Sequence, residues 1–210
     1  MRVPALALSA LIAIDAGHTP EAPGAIGASG MAELEYNLAL AEELKRALEA
    51  DGQNVRRLRQ NRDIVRRTGE ATGADLLVSL HHDDVKPQFR ADAAKYAGFS
   101  IFISRRNVDP AKSARCASAI GGELRAVGLE PSRYHADPVR GENLPFADEK
   151  NGVHYYDALP LARSAGMPAV LIEAGVITNP ADERRVTAPA MRQKIAGAIA
   201  HGIEACLEAK

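Results

Sequence analysis

The chain has 210 residues, with 26 Lys and Arg against 27 Asp and Glu, a formal net charge of −1, no Trp and 4% aromatic residues. That length carries one sizeable domain with a real core. The balanced charge argues against a nucleic-acid partner or an acidic tail, and the scarcity of aromatics against a base-stacking platform or an aromatic carbohydrate-stacking cleft.

Met1-Arg2 and the apolar run Val3–Ala13 have the charged start and apolar middle of a secretory signal, and Ala7-Leu8-Ser9 has the small-x-small form of a cleavage site. The segment is short for a signal and flows into the next apolar run. Residues 1–10 are therefore read as a signal segment or its remnant, and residues 11–210 as one domain. Export to the periplasm or cell envelope is expected, with a mature start near Ala10 or Leu11. No other segment is apolar enough, for long enough, to span a membrane, and a monomer is expected.

Leu11–Ile14 is a short apolar run ending in Asp15-Ala16-Gly17-His18, which reads as a buried strand with polar residues at its end. In open α/β sheets ligands bind at the carboxyl ends of the strands. Thr19–Gly30 is a loop rich in Gly, Pro and Ala. Leu34, Leu38, Ala41, Leu44 and Leu48 then form one apolar stripe of a helix over roughly 32–50, with Ser29 a candidate cap and Asp51-Gly52 its end. Glu33 falls in the first turn, where it suits the helix dipole or faces back toward the strand end as a ligand.

Asn54–Leu58 is a short strand candidate, and Asn61–Thr72 a weak, Arg-rich helix whose charges predict a solvated face. Ala74–Leu80 is the clearest buried strand and leads into His81-His82-Asp83-Asp84. Such groups after an apolar strand are costly unless paired, exposed or bound to a metal. Because strand side chains alternate, His81 and His82 cannot both enter one site without a bend. Residues 84–97 read as a loop, Gly98–Ser104 as a strand with one mixed face, and Pro110–Val127 as a helix with Pro near its first turn.

Leu129–Tyr156 is a long irregular stretch, of the kind that is usually functional or mobile. Its His135 and His154 read as loop histidines, and its Arg140 and Glu142 as candidates for substrate contact. A short helix over 157–165 precedes a further buried strand, Pro168–Ile172, ending in Glu173-Ala174-Gly175. Helices over 179–185 and 190–207 close the chain. This alternation of strand and helix predicts an α/β domain with a largely parallel sheet. Cys116 and Cys206 lie far apart without a CxxC spacing, so they form no metal cluster. They are either one disulfide, in an oxidising compartment, or two buried free thiols.

Three apolar strands thus lead to His18, His81 and Glu173, with Glu33 just after the first of them. Two imidazoles and one carboxylate are a standard set for catalytic zinc, leaving a fourth position for water. A further carboxylate that does not bind the metal can take a proton from that water. The spacing is not HExxH, so no local helix motif forces this reading.

The residues also resemble a family. Ile14-Asp15-Ala16-Gly17-His18 is similar to the "DPGH" start of the zinc-dependent N-acetylmuramoyl-L-alanine amidases, the amidase 3 family. Pro23–Gly27 with Gly30-Met31-Ala32-Glu33 resembles its "PGAxG…GxxE", and Ala74–His81 its "ADLxxSIH". Leu161–Gly175 resembles "VLRxxxxPAVLVExG", and Thr178–Glu183 the "SNPxDE" that follows. The motifs run in order over nearly the whole chain from Leu11.

The resemblance implies zinc held by His18, Glu33 and His81, with Glu173 as the catalytic carboxylate of a domain over 11–210. It implies a twisted sheet of about six strands flanked by helices. The implied reaction is hydrolysis of the amide joining the lactyl group of N-acetylmuramic acid to L-alanine, with peptidoglycan or a muropeptide as substrate. Departures are Ala16 for the usual Pro, Thr19-Pro20 for a Gly pair, and His81-His82-Asp83 for "HAN", where the motif register assigns the ligand to His81. Residues 85–97 hold no long helical insertion of the kind that blocks the site in regulated members, so an open site is expected. Asp15 is either an acceptor that orients a ligand imidazole or a structural strand cap. Two other readings remain: a wall-binding module of the same fold without turnover, and a zinc exopeptidase acting on free peptides.

Overall fold

The computed structural model describes residues 9–208. Seven strands form one sheet in the order β2-β1-β3-β7-β4-β6-β5. They are β1 (Leu11–Ala16), β2 (Asn54–Arg57), β3 (Leu76–Asp83), β4 (Ser100–Ile103), β5 (Phe146–Asp148), β6 (Val153–Tyr155) and β7 (Ala169–Val176). β2, β1, β3 and β7 are mutually parallel, whereas β4 pairs antiparallel with β7 and β5 with β6. The count exceeds the expected six because β5 and β6, three residues each, lie inside the stretch read as irregular. Runs that short carry too little periodicity to be seen.

Long helices cover one face: α1 (Glu33–Ala50), α3 (Pro110–Ala126) and α6 (Pro189–Glu208). Their apolar stripes pack on Ile12, Ile14, Leu76, Val78, Leu80, Val170 and Ile172, the even positions of β1, β3 and β7. Each fully buried side chain of this size contributes about 1.5–3 kcal/mol. The α1 stripe includes the expected Leu34, Ala41, Leu44 and Leu48, with Leu40 buried as well and Leu38 only partly so. Cys116 of α3 and Cys206 of α6 are joined in a disulfide, with Cα atoms 4.8 Å apart. One turn along, a Cβ on Gly202 would lie 2.5 Å from Ile120 Cα. The two helices are therefore antiparallel and in close contact, and of the two readings of the cysteines the structure has the disulfide.

The other face carries two short helices, α2 (Ile64–Glu70) and α4 (Pro160–Ser164), over a small apolar base that includes Ala13, Leu77 and Ala169. α5 (Pro180–Thr187) follows β7, its Asn179 side chain accepting from the Ala181 and Asp182 amides as an N-cap. Residues 87–95, expected as loop, form a 3₁₀ helix. Among the described residues no helix is long and apolar enough to cross a membrane. Residues 1–8, which hold most of the proposed signal segment, lie outside the described residues, and Asn54 N donates to Ala10 O at the start of β1.

Candidate metal centre and active site

Adjacent parallel strands end on the same edge of a sheet, so β1, β3 and β7 bring their carboxyl ends together. Period-2 alternation then selects the face. Asp15, Ser79, His81, Leu171 and Glu173 continue the rows of Ala13, Leu77 and Ala169, on the side of the short helices. His81 and Glu173 are register partners across β3 and β7. Both lie inside their strands rather than just past the ends, as the sequence suggests, because β3 runs to Asp83 and β7 to Val176.

His18 follows β1 with φ of +74°, a left-handed conformation that turns the chain sharply at the rim. Its carbonyl accepts from the Arg67 guanidinium at 2.9 Å, and the same group reaches Ala16 O at 2.8 Å and Asp15 Oδ1 at 2.9 Å. Arg67 is thus buried against the site and is not part of a solvated face. Asp15 is ion-paired with Arg67, and its Oδ2 accepts from the Ser79 hydroxyl at 2.6 Å. Among the described residues no imidazole is a partner of Asp15, whose contacts are with Arg67 and Ser79.

α1 starts at Glu33 with Ala32 as its N-cap residue and no side-chain cap. Ser29 does not cap it; its hydroxyl bonds Tyr36 and Glu183. Glu33 is buried, and both oxygens of its carboxylate are hydrogen-bonded. Oε1 accepts from Asn37 Nδ2 at 3.1 Å and His82 N at 3.2 Å and meets His81 Nδ1 at 2.9 Å. Oε2 accepts from Ala25 N at 3.1 Å and meets His18 Nε2 at 2.8 Å. Burial alone would raise the Glu33 carboxyl, but the bonds from His18 and His81 outweigh it and hold it well below the usual carboxylate range.

His18, Glu33 and His81 each offer a ligand atom, all within 4.8 Å of one another. Two glycines leave the space. A Cβ on Gly17 would collide with the His81 ring, and one on Gly24 would lie 2.5 Å from Glu33 Oε2 and 2.7 Å from His18 Nε2. Two imidazoles and one carboxylate fit a divalent transition metal with a position left open. His82 faces the other way: its Nδ1 meets Asn37 Oδ1 at 2.8 Å, and burial pushes its ring down to about 4. Strand alternation, with a register irregularity between His81 and Asp83, separates the two histidines.

Glu173 makes a contrast with Glu33. Its residue is only partly buried, but Oε2 is shut off from solvent without a hydrogen-bond partner among the described residues. Burial, then the charges of Asp83 and Glu33, push its carboxyl well above the usual carboxylate range. A hollow of about 340 Å³ connects it with His18, Glu33 and His81, and Phe102, His135, Glu142 and Tyr156 also line it. A second hollow of about 280 Å³ adjoins at His18, His81, Leu159 and Leu171 and is mostly apolar, with Arg62 and Arg67 among its lining.

His135 sits in a turn of the long loop, as its reading as a loop histidine expects, and it also lines the hollow. Its Nε2 meets Asp83 Oδ2 at 2.7 Å and its Nδ1 meets Glu142 Oε2 at 2.6 Å. Burial opposes the charged ring, but Asp83 and Glu142 prevail and raise it to about 10. The imidazolium therefore pins the long loop to the end of β3. Of the other loop residues, Glu142 lines the hollow, Arg140 extends toward Asp137 at 3.9 Å, and His154 is buried beside Phe146. Spacing could not find the Asp83–His135–Glu142 cluster, because its members are brought together only by the path of the loop.

A family model described as N-acetylmuramoyl-L-alanine amidase matches residues 12–205. The chain is 27% identical over 220 residues to the N-acetylmuramoyl-L-alanine amidase AmiC of Neisseria meningitidis, with 92% of this chain and 52% of that protein covered. It is 29% identical over 221 residues to AmiA of Salmonella typhimurium, with 92% and 74% covered. It thus spans only about half of the first relative and about three quarters of the second. A solved N-acetylmuramoyl-L-alanine amidase from Clostridium difficile superimposes with a TM-score of 0.76 at 20% identity, over 96% of this chain and 98% of that one, a likeness of fold. With a family model that runs across His18, Glu33, His81 and Glu173 alike, the chain belongs to the N-acetylmuramoyl-L-alanine amidase family, amidase 3.

Proposed function

We propose that this chain hydrolyses the amide between N-acetylmuramic acid and L-alanine in peptidoglycan, with zinc held by His18, Glu33 and His81 and Glu173 as the catalytic carboxylate. The observation that carries the reading is the convergence of those three donors within 4.8 Å, in an open hollow that also holds Glu173. Zinc in that position would supply Lewis-acid polarisation of the amide carbonyl and acidify water beside it. Glu173 has an oxygen free of protein partners among the described residues and a raised proton affinity. Both properties suit a group that takes a proton from the attacking water and returns it to the departing amine nitrogen. Glu33 is saturated by its neighbours and suits a fixed ligand. His135 has both ring nitrogens engaged, so it shapes the hollow and leaves proton transfer to Glu173.

The disulfide between Cys116 and Cys206 supports export, since such bonds persist in oxidising compartments. An envelope location is the one where peptidoglycan is found. The test is digestion of purified sacculi with mass spectrometry of the products alongside metal analysis. Release of free stem peptides beginning with L-alanine, in a zinc-dependent manner, is expected. Binding without release would favour a wall-binding module, and cleavage of free peptides without the sugar would favour an exopeptidase.

A further inference from the structure

His18 and Glu33 are joined by the loop 19–32, whose short internal bonds include Gly27 N to Met31 O at 2.9 Å and Glu33 N to Ala25 O at 2.8 Å. A Gly- and Pro-rich loop of this kind has no packed face of its own, so its shape depends on what it is tied to. Midway, Ala28 N donates to Ile177 O at 2.9 Å. The next residue is tied more heavily. Ser29 N donates to the Glu183 carboxylate at 3.0 and 3.2 Å, and Ser29 Oγ donates to Oε1 at 2.8 Å. Tyr36 Oη donates to the same Oε1 at 2.7 Å. Tyr36 is three residues beyond Glu33, in the opening turn of α1. Glu183 is buried, and the loop crosses directly over it, since a Cβ on Gly27 would collide with Oε1.

We infer that Glu183 is a positioning residue for the metal centre. It touches none of the ligand atoms. It clamps the loop and the first turn of α1 to α5, and so fixes where Glu33 meets His18 and His81. This rests on the zinc reading of those three residues. The adjacent acid holds a different part of the fold, because Asp182 Oδ2 accepts from Gly98 N at 2.9 Å and Val176 N at 2.8 Å, away from the loop. Two neighbouring carboxylates on one short helix therefore serve the sheet and the loop separately.

The test compares Glu183→Ala, Glu183→Gln and Asp182→Asn in the full chain, by chelator competition for zinc and by melting of the metal-free protein. Groups that orient metal ligands from behind typically matter by about 10- to 100-fold in affinity. Glu183→Ala should weaken zinc binding by about 10-fold, the low end of that range, because Glu183 acts through the loop and not on a ligand, and Glu183→Gln by less, because one acceptor oxygen survives. Asp182→Asn should lower the melting temperature and leave zinc affinity within about twofold of the parent. An unchanged affinity in Glu183→Ala, or an equal loss in Asp182→Asn, overturns the inference. If the parent chain takes up no zinc, the metal reading fails instead. Positioning is then decided by the His18 and His81 imidazole NMR signals, which Glu183→Ala must still shift.

Discussion

Toward α1, α3 and α6, strands β1, β3 and β7 present Ile12, Ile14, Leu76, Val78, Val170 and Ile172, all at 0% exposure. Toward α2 and α4 the same strands present Ala13, Leu77 and Ala169 and then, near the rim, Asp15, Ser79, His81 and Glu173. Helices of 18, 17 and 20 residues seal the first face, and helices of 7 and 5 residues cover only part of the second. The apolar seal and the candidate site thus lie on opposite sides of one set of strands. The short helices leave the polar end of the second face open for a substrate.

That division breaks most severely at the histidine pair, where neighbouring residues belong to opposite faces. His81→Ala should take zinc from about one per chain to near none and abolish amidase activity. His82→Ala should keep most of the zinc, although it opens a gap against Asn37 and Tyr36. Metal analysis of both variants decides, and the reverse result would move the ligand to the α1 face.

The next largest effect separates two carboxylates of the same hollow. Glu173→Gln should retain zinc and fold but lose about 10²- to 10⁴-fold in turnover, as for a lost general base. Glu33→Gln should also weaken zinc retention. Zinc content and muropeptide release on the same preparations are the measurements. A metal-free Glu173→Gln beside a loaded Glu33→Gln would exchange the two roles.

A smaller and purely structural effect is expected on the sealed face. Replacing Cys116 and Cys206 by Ser opens a disulfide across a sequence separation of 90 residues. The cost is typically about 2–4 kcal/mol. The melting temperature should fall while turnover per folded molecule stays unchanged. A parallel loss of turnover would show that the two faces are coupled.

The last effect is a pH dependence of stability. His135 has its folded value raised to about 10 from 6.5, so its contribution is complete below 6.5 and is lost as pH rises toward 10. His82 and His154 are pushed down to about 4 by burial, so each disfavours folding as pH falls from 6.5 toward 4. Melting temperatures of the metal-free protein should therefore peak near neutral pH. His135→Gln should flatten the alkaline limb and leave the acid limb in place. An unchanged alkaline limb would rule out the clamp on Asp83 and Glu142.

The strands β1, β3 and β7 and the helices α1, α3 and α6 were legible because each is long enough to show its period, and the caps at Asn179 and Pro180 mark α5 locally. The four rim residues were also legible, since polar residues after buried apolar runs are conspicuous and the motifs place them in order. That much follows from local chemistry: periodicity, capping and the cost of burying unpaired polar groups. The tertiary structure alone decided the rest. It determined that Arg67 turns inward to Asp15 and His18, that Ser29 bonds Glu183 instead of capping α1, and that His135 lies between Asp83 and Glu142. It also joined Cys116 to Cys206. Each of these pairs residues far apart in the chain or separated by a loop whose path has no period to read. Only the closed fold brings such partners within hydrogen-bonding or bonding distance.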